Sequence, residues 1–317
     1  MTTLEVVVQA IRLEAERIHS FELRAGQDGT LPVFTAGAHI DVWMTETLVR
    51  SYSLTNAPSE RDRYVIAVQS EVAGRGGSRH MHEKIRVGQR LKISAPRNNF
   101  ELNEAAPHSV LIAGGIGITP LRSMAAHLQQ LGKPWTLHYS GRDRRAMAYY
   151  DEFRALAAAG AGIHLHADAE NGGRFIDLSG IIAEGPVGAH IYCCGPKPML
   201  VAFEAATAKL PPEQVHLEYF EAKETAAATG GFVVELARSG RQFEMAPGKS
   251  ILDTLLEAGV QVDFSCMDGI CGSCETRVLA GIPDHRDSIL SKSEREANDR
   301  MMICCSGSMT PRLVLDL

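Results

Sequence analysis

No run of apolar residues in this 317-residue sequence comes near the roughly 20 that a membrane-spanning helix requires; the longest, such as Val110 to Ile118, stop far short, so no membrane association is expected. The N-terminus, Met1-Thr2-Thr3-Leu4-Glu5, lacks a basic segment followed by an apolar core, and no signal peptide is expected. Strong charge is missing as well. Lys and Arg number 32 against 38 Asp and Glu, a net charge of -6 that gives no reason to expect nucleic-acid binding. There is no internal repeat, and no low-complexity tract outside one short linker. Seven cysteines are an odd count concentrated in one place, which argues against a disulfide framework and agrees with a reducing, cytoplasmic compartment.

Cysteine is what the C-terminal third does have. Cys266, Cys271, Cys274 and Cys304 follow the order Cys-x4-Cys-x2-Cys…Cys, the spacing by which plant-type ferredoxins hold a [2Fe–2S] cluster. The first three lie between Ser265 and Cys274 in a loop whose glycines let the backbone curl and aim N–H groups at sulfur. Zinc is the alternative, but structural zinc sites favour two Cys-x2–4-Cys pairs over a triplet with a remote fourth member. The fourth ligand is expected on a strand, where neighbouring side chains point oppositely. Only one of the adjacent Cys304 and Cys305 can then complete the set, and Cys304 is the expected one. Residues 230–317 carry 13 Asp and Glu against 9 Lys and Arg, a surface that either steers a protein partner or simply keeps the chain soluble.

Length suits two or three domains, and the pattern changes twice. From Leu4 to about Leu102, short alternating runs (Glu5 to Ile11, His39 to Trp43, Tyr64 to Val68, Arg90 to Ser94) separated by Gly, Pro and Asn read as an antiparallel barrel or sandwich. From about Ala105 to Glu221, apolar strands at Val110 to Ala113, Trp135 to Tyr139 and His190 to Cys193 each precede a helical pattern, which implies a parallel α/β sheet. Small and polar residues from Glu221 to Gly231 form the best linker. Beyond it, two strand-like runs flank Ser239-Gly240, and a helix is expected from Ser250 to Ala258. The domain boundaries are set at 1–104, 105–222, a linker at 223–231, and 232–317.

Other segments carry chemistry. Arg50-Ser51-Tyr52-Ser53-Leu54 puts a cation, a ring and two hydroxyls on one expected strand, with Arg50 and Tyr52 on one face and Ser51 and Ser53 on the other. Alone it could be packing. Gly74 to Ser78, including Gly76 and Gly77, opens a helical stretch from Arg79 to Ile85, where exposed amides could hold a phosphate or merely turn the chain. Gly114-Gly115-Ile116-Gly117-Ile118-Thr119-Pro120 stands at a strand end before a helix that Pro120 is placed to start. It lacks the third glycine of the dinucleotide fingerprint. Two expected strands later, Cys193-Cys194-Gly195-Pro196 repeats the design. Adjacent cysteines chelate a metal poorly, so paired glycine-bearing strand ends favour a dinucleotide site.

In this order the motifs resemble those of the phthalate dioxygenase reductase family, which includes vanillate demethylase reductases, and the match runs nearly end to end. The resemblance implies an antiparallel flavin-binding β-barrel, a parallel α/β nicotinamide-binding domain and a C-terminal β-grasp ferredoxin domain of plant type. It implies that Arg50 meets the flavin phosphate, Tyr52 the ring system and Ser53 the ring nitrogen that receives hydride, with Ser51 on the same segment. Gly76, Gly77 and Ser78 match the loop holding the single phosphate of FMN; FAD is the alternative. Gly115, Gly117 and Thr119 correspond to the nicotinamide-binding turn, Cys194, Gly195 and Pro196 to the motif that sets a thiol beside the nicotinamide, and Phe220 to an aromatic that covers the flavin. Cys304-Cys305-Ser306 fits the family's Cys-x-Ser register.

Coenzyme choice stays open at Ser140-Gly141-Arg142-Asp143-Arg144-Arg145, where arginines could hold the 2′-phosphate of NADPH and Asp143 could accept from a free 2′-hydroxyl. The resemblance favours NADH. It implies a relay from NADH through FMN and the cluster to a terminal oxygenase of the Rieske type acting on an aromatic acid or similar small molecule. An NADPH-dependent reductase of another one-electron acceptor, a redox sensor without turnover and a zinc-stabilised binding module are the alternatives.

Overall fold

The computed structural model describes residues 2–26, 29–46, 48–71, 74–221, 227 and 230–317, so most of the expected linker at 223–231 lies outside the described residues. The chain forms two compact units, Met1–Glu218 and Tyr219–Leu317.

The first unit opens with β1 (Thr3–Ala15), β2 (Ile18–Ala25), β3 (His39–Trp43), β4 (Val49–Ser53), β5 (Tyr64–Gln69), α1 (Gly77–Glu83) and β6 (Arg90–Ser94). The six strands make one antiparallel sheet in the order β4-β3-β6-β1-β2-β5. A bridge between Leu54 and Ile66, with Thr55 N–H donating to Val65 O at 2.8 Å, joins the two outer strands. The sheet therefore closes as a barrel, which removes its free edges, around Val6, Phe21, Ile40, Leu54 and Ile93.

It continues with β7 (Ser109–Gly114), α2 (Ile118–Leu131), β8 (Trp135–Gly141), α3 (Tyr150–Ala158), β9 (Ile163–Ala167), α4 (Leu178–Glu184), β10 (His190–Cys194), α5 (Lys197–Thr207) and β11 (Val215–Glu218). The sheet is parallel in the order β11-β10-β7-β8-β9. After β7 the chain builds outward to β8 and β9, then crosses back to lay β10 on the other side of β7. Ligands bind at such a reversal of strand order, outside the carboxyl ends of the strands. β9, α4 and β11 are additions to the sequence reading. The Cys194 motif thus comes three strands after the glycine turn rather than two, yet sits on the strand next to it. A 3-10 turn at Gly115–Gly117 precedes α2, so Pro120 is the third helical residue rather than the first. It is still in the first turn, where the missing N–H has no intrahelical partner to lose.

The second unit holds β12 (Val233–Leu236), β13 (Gln242–Glu244), α6 (Ile251–Glu257), β14 (Glu275–Ala280), β15 (Pro283–Asp284), α7 (Lys292–Ala297), β16 (Arg300–Met302), β17 (Gly307–Ser308) and β18 (Arg312–Leu315). Its main sheet runs β13-β12-β18-β14-β16, with β12 and β18 parallel and the other pairs antiparallel. Ser250 and Asp253 form a capping box at the start of α6, which brings Ile251, Leu252 and Leu255 into the core against Val234, Leu313 and Leu315. One helix held by a mixed sheet is the β-grasp arrangement. No helix among the described residues is long and apolar enough to cross a membrane.

Candidate active site

β4 alternates as its sequence requires. Tyr52 stands opposite Ile40 and packs on the barrel core. Ser51 stands opposite Asp41, to which its hydroxyl donates at 2.7 Å, and Ser53 is buried opposite His39. Arg50 leaves the strand toward the start of α1, where its guanidinium donates to Arg75 O at 3.1 Å. Gly76 has φ 83°, and a Cβ on Gly77 would stand 2.6 Å from Arg50 Cγ. That crowding explains the glycine: the arginine lies across the loop with no room for a side chain beneath it. Ser78 Oγ accepts from Glu71 N–H at 3.0 Å and keeps its own proton to donate. The Tyr52 hydroxyl is buried without a hydrogen-bond partner among the described residues, and burial pushes its pKa up. An orphaned buried hydroxyl beside a guanidinium and a glycine cradle fits a bound group with a ring and a phosphate.

The two glycine-bearing strand ends interlock. A Cβ on Gly117 would lie 2.2 Å from Cys194 O, and one on Gly114 would lie 2.8 Å from Pro196 Cδ. Both glycines are therefore needed for the turn after β7 to pack on Cys194-Gly195-Pro196. Gly115 takes φ 54°. Thr119 is buried and donates to Ile116 O at 2.9 Å, fixing the turn itself. Cys194 is fully buried; burial and then the nearby Glu218 carboxylate hold its thiol protonated. Glu218 stands opposite Cys194 across β10 and β11, and the sequence reading passed over it. Its Oε2 is out of reach of solvent and unpartnered among the described residues, and burial pushes its pKa up to about 8. Only the unforeseen strand β11 brings that carboxyl to the crevice. Cys193 points to the other face as a core residue, its thiol pushed up to about 12 by burial.

Barrel and crevice are bonded directly. Arg122 and Ser123 on α2 donate to Thr55 O (2.9 Å) and Asn56 O (2.8 Å), in the segment that continues β4. The helix that follows the glycine turn is thus fixed to the extension of the Arg50–Ser53 strand.

In the second unit the four spaced cysteines come together. Cys266 touches the sulfurs of Cys271 and Cys304, and Cys304 touches that of Cys274. All four are nearly fully buried. Met267, Gly269 and Gly272 have positive φ, and the curled loop turns Asp268 N–H onto Cys266 Sγ at 3.3 Å. The neighbouring Cys266 sulfur, then burial, pushes the Cys271 thiol up. Crowded thiols that resist ionisation are matched to cations that replace their protons. No three His, Cys, Asp or Glu among the described residues meet as ligands of a single metal ion. One expectation fails: Cys304 and Cys305 lie in a turn after β16, with Cys305 and Ser306 N–H both donating to Met302 O, rather than on a strand. Opposed side chains therefore do not separate them. What favours Cys304 is contact, since it reaches both Cys266 and Cys274 as well as its neighbour Cys305, whose Sγ lies 2.4 Å from where a Cβ on Gly269 would stand. Phe220 follows β11 by two residues, in the segment that opens the second unit.

Residues 234–307 match the profile of the 2Fe-2S iron-sulfur cluster binding domain and residues 111–205 that of the oxidoreductase NAD-binding domain. Over 318 residues the chain is 54% identical to phenoxybenzoate dioxygenase subunit beta of Ectopseudomonas oleovorans, covering 100% of this chain and 98% of that one. It is 51% identical over 320 residues to tetrachlorobenzoquinone reductase of Sphingobium chlorophenolicum, covering 100% and 99%. Among solved structures, phthalate dioxygenase reductase, described as a modular structure for electron transfer from pyridine nucleotides to [2Fe-2S], matches with TM-score 0.76 and 37% identity over 99% of this chain and 98% of that one.

Proposed function

The chain belongs to the phthalate dioxygenase reductase family, and from that premise we propose that it takes two electrons from NADH and delivers them singly to a terminal oxygenase of the Rieske type. The observation that carries the reading is that the four spaced cysteine sulfurs meet in one run, Cys271 against Cys266, Cys266 against Cys304 and Cys304 against Cys274, with no three of them gathered on a single metal ion among the described residues. Two irons bridged by sulfide need two thiolates each, and one zinc would need four at one point.

Arg50, Gly76, Gly77 and Ser78 hold the phosphate of FMN, favoured over FAD because the arginine already spans the short loop. Tyr52 and Ser53 meet the ring system, and Ser51 braces the strand through Asp41. Gly115, Gly117, Thr119, Cys194, Gly195 and Pro196 seat the nicotinamide. Bound FMN supplies the exchange between two-electron and one-electron transfer, and the cluster accepts electrons one at a time. Ser53 and the protonated Cys194 orient the reacting rings, and a tight crevice excludes water. We place the protein in the cytoplasm, where its free thiols stay reduced.

Heat extraction of the purified protein should release FMN, and NADH should drive reduction of a one-electron protein acceptor. Release of FAD would replace the flavin assignment; no reduction would end the reductase reading. The 51% identity to tetrachlorobenzoquinone reductase favours a second reading, direct reduction of a chlorinated benzoquinone. NADH consumption with that quinone, above the enzyme-free rate and without any oxygenase, distinguishes it.

A further inference from the structure

One thiol beside the four spaced cysteines is not counted among the ligands. Cys305 is buried and free, and its backbone is held on both sides. Its N–H donates to Met302 O at 3.3 Å, its O accepts from Ala227 N–H at 2.8 Å, and Ser306 N–H closes the same turn on Met302 O at 3.0 Å. The Cys305 sulfur is packed under Gly269, in the loop between Cys266 and Cys271, 2.4 Å from where a Cβ on that glycine would stand. Because Cys304 and Cys305 share a turn rather than a strand, their side chains do not part to opposite faces, and Cys304 touches Cys305. Two oxygens near the Cys305 thiol, Met302 O at 3.8 Å and Ser306 Oγ at 3.9 Å, are long contacts for so weak a donor.

We infer that Cys305 donates its S–H to the sulfur of Cys304 when the cluster is bound, and so raises the potential at which the cluster accepts its electron. The inference rests on the iron–sulfur reading above and goes beyond it by giving this neighbouring thiol a role. Between two free thiols either sulfur could donate. Cys304 gives up its proton to bind iron, which leaves Cys305 as the partner with a hydrogen to offer. A second thiolate there would set two like charges in contact at a buried place. Reduction adds a negative charge close to the cysteine sulfurs, and a hydrogen bond to one of them favours that state, one of the levers that set such potentials.

Potentiometric titration of the purified holoprotein, followed by electron paramagnetic resonance of the reduced cluster, tests this without NADH or an oxygenase. Cys305→Ala should keep its full iron content and lower the midpoint by about 59 mV, a tenfold shift of a one-electron equilibrium and the scale of one hydrogen bond. Cys305→Ser retains a donor and should recover part of that shift. Cys305→Val, nearer in size but without a donor, should match the alanine variant. An unchanged midpoint in Cys305→Ala and Cys305→Val, or a serine variant as low as both, overturns the inference, because the thiol would then act through packing alone. So would loss of iron from Cys305→Ala with retention in Cys304→Ala, which would make Cys305 the ligand. A wild-type protein without iron would instead end the cluster reading, and this inference with it.

Discussion

Gly77 shows how much a single missing side chain decides. Gly77→Ala would put a methyl 2.6 Å from Arg50 Cγ and displace the guanidinium. Flavin affinity should fall about tenfold or more, the equivalent of one charge-assisted contact. Fluorescence titration of the flavin-free protein with FMN checks this, and unchanged affinity would remove Arg50 from the phosphate site. Glu218 makes a second test. Its carboxyl holds a proton up to about pH 8 when folded but ionises near 4.5 when unfolded. Between those values the folded state binds more protons, so stability falls as pH rises through that window. Glu218→Gln should flatten the fall in urea midpoints between about pH 5 and pH 8; parallel curves would mean that the carboxyl is not buried. Cysteine spacing made the cluster legible because ligand geometry constrains sequence directly. Glu218 was not, since nothing in Val215–Glu218 marks it until a strand pairs it with Cys194.

At the scale of elements, the readable strands were those with a run of aliphatic residues, such as β7 and β10. β9, Ile163–Ala167, alternates Ile163, Leu165 and Ala167 with His164 and His166, too few apolar residues to stand out. β2 is buried along most of its length and shows no clean alternation. The turn at Cys304 hid for another reason: Met301 to Ile303 look like a strand continuing, but the peptides of Cys305 and Ser306 bend back to Met302 O. The clip between α2 and the barrel depends on hydrogen bonds that sequence does not display. Ser123→Ala leaves Asn56 O without that donor, a loss of about 1–3 kcal/mol for a buried acceptor. Urea unfolding should show it together with slower NADH oxidation; an unchanged midpoint and rate would mean that the clip holds neither the fold nor the crevice.

For the molecule as a whole, the order of barrel, α/β sheet and ferredoxin unit places electron entry and exit on different parts of one chain. Cys271→Ser should therefore separate the two. NADH-driven ferricyanide reduction at the flavin should persist while reduction of a one-electron protein acceptor is lost, and survival of both would show that Cys271 holds no iron. The most direct measurement of the relay is the visible spectrum of the purified protein under anaerobic titration with NADH. Flavin and iron–sulfur bands that both bleach as NADH is added are the predicted result, and bands that stay unchanged, or a protein without colour, would contradict it.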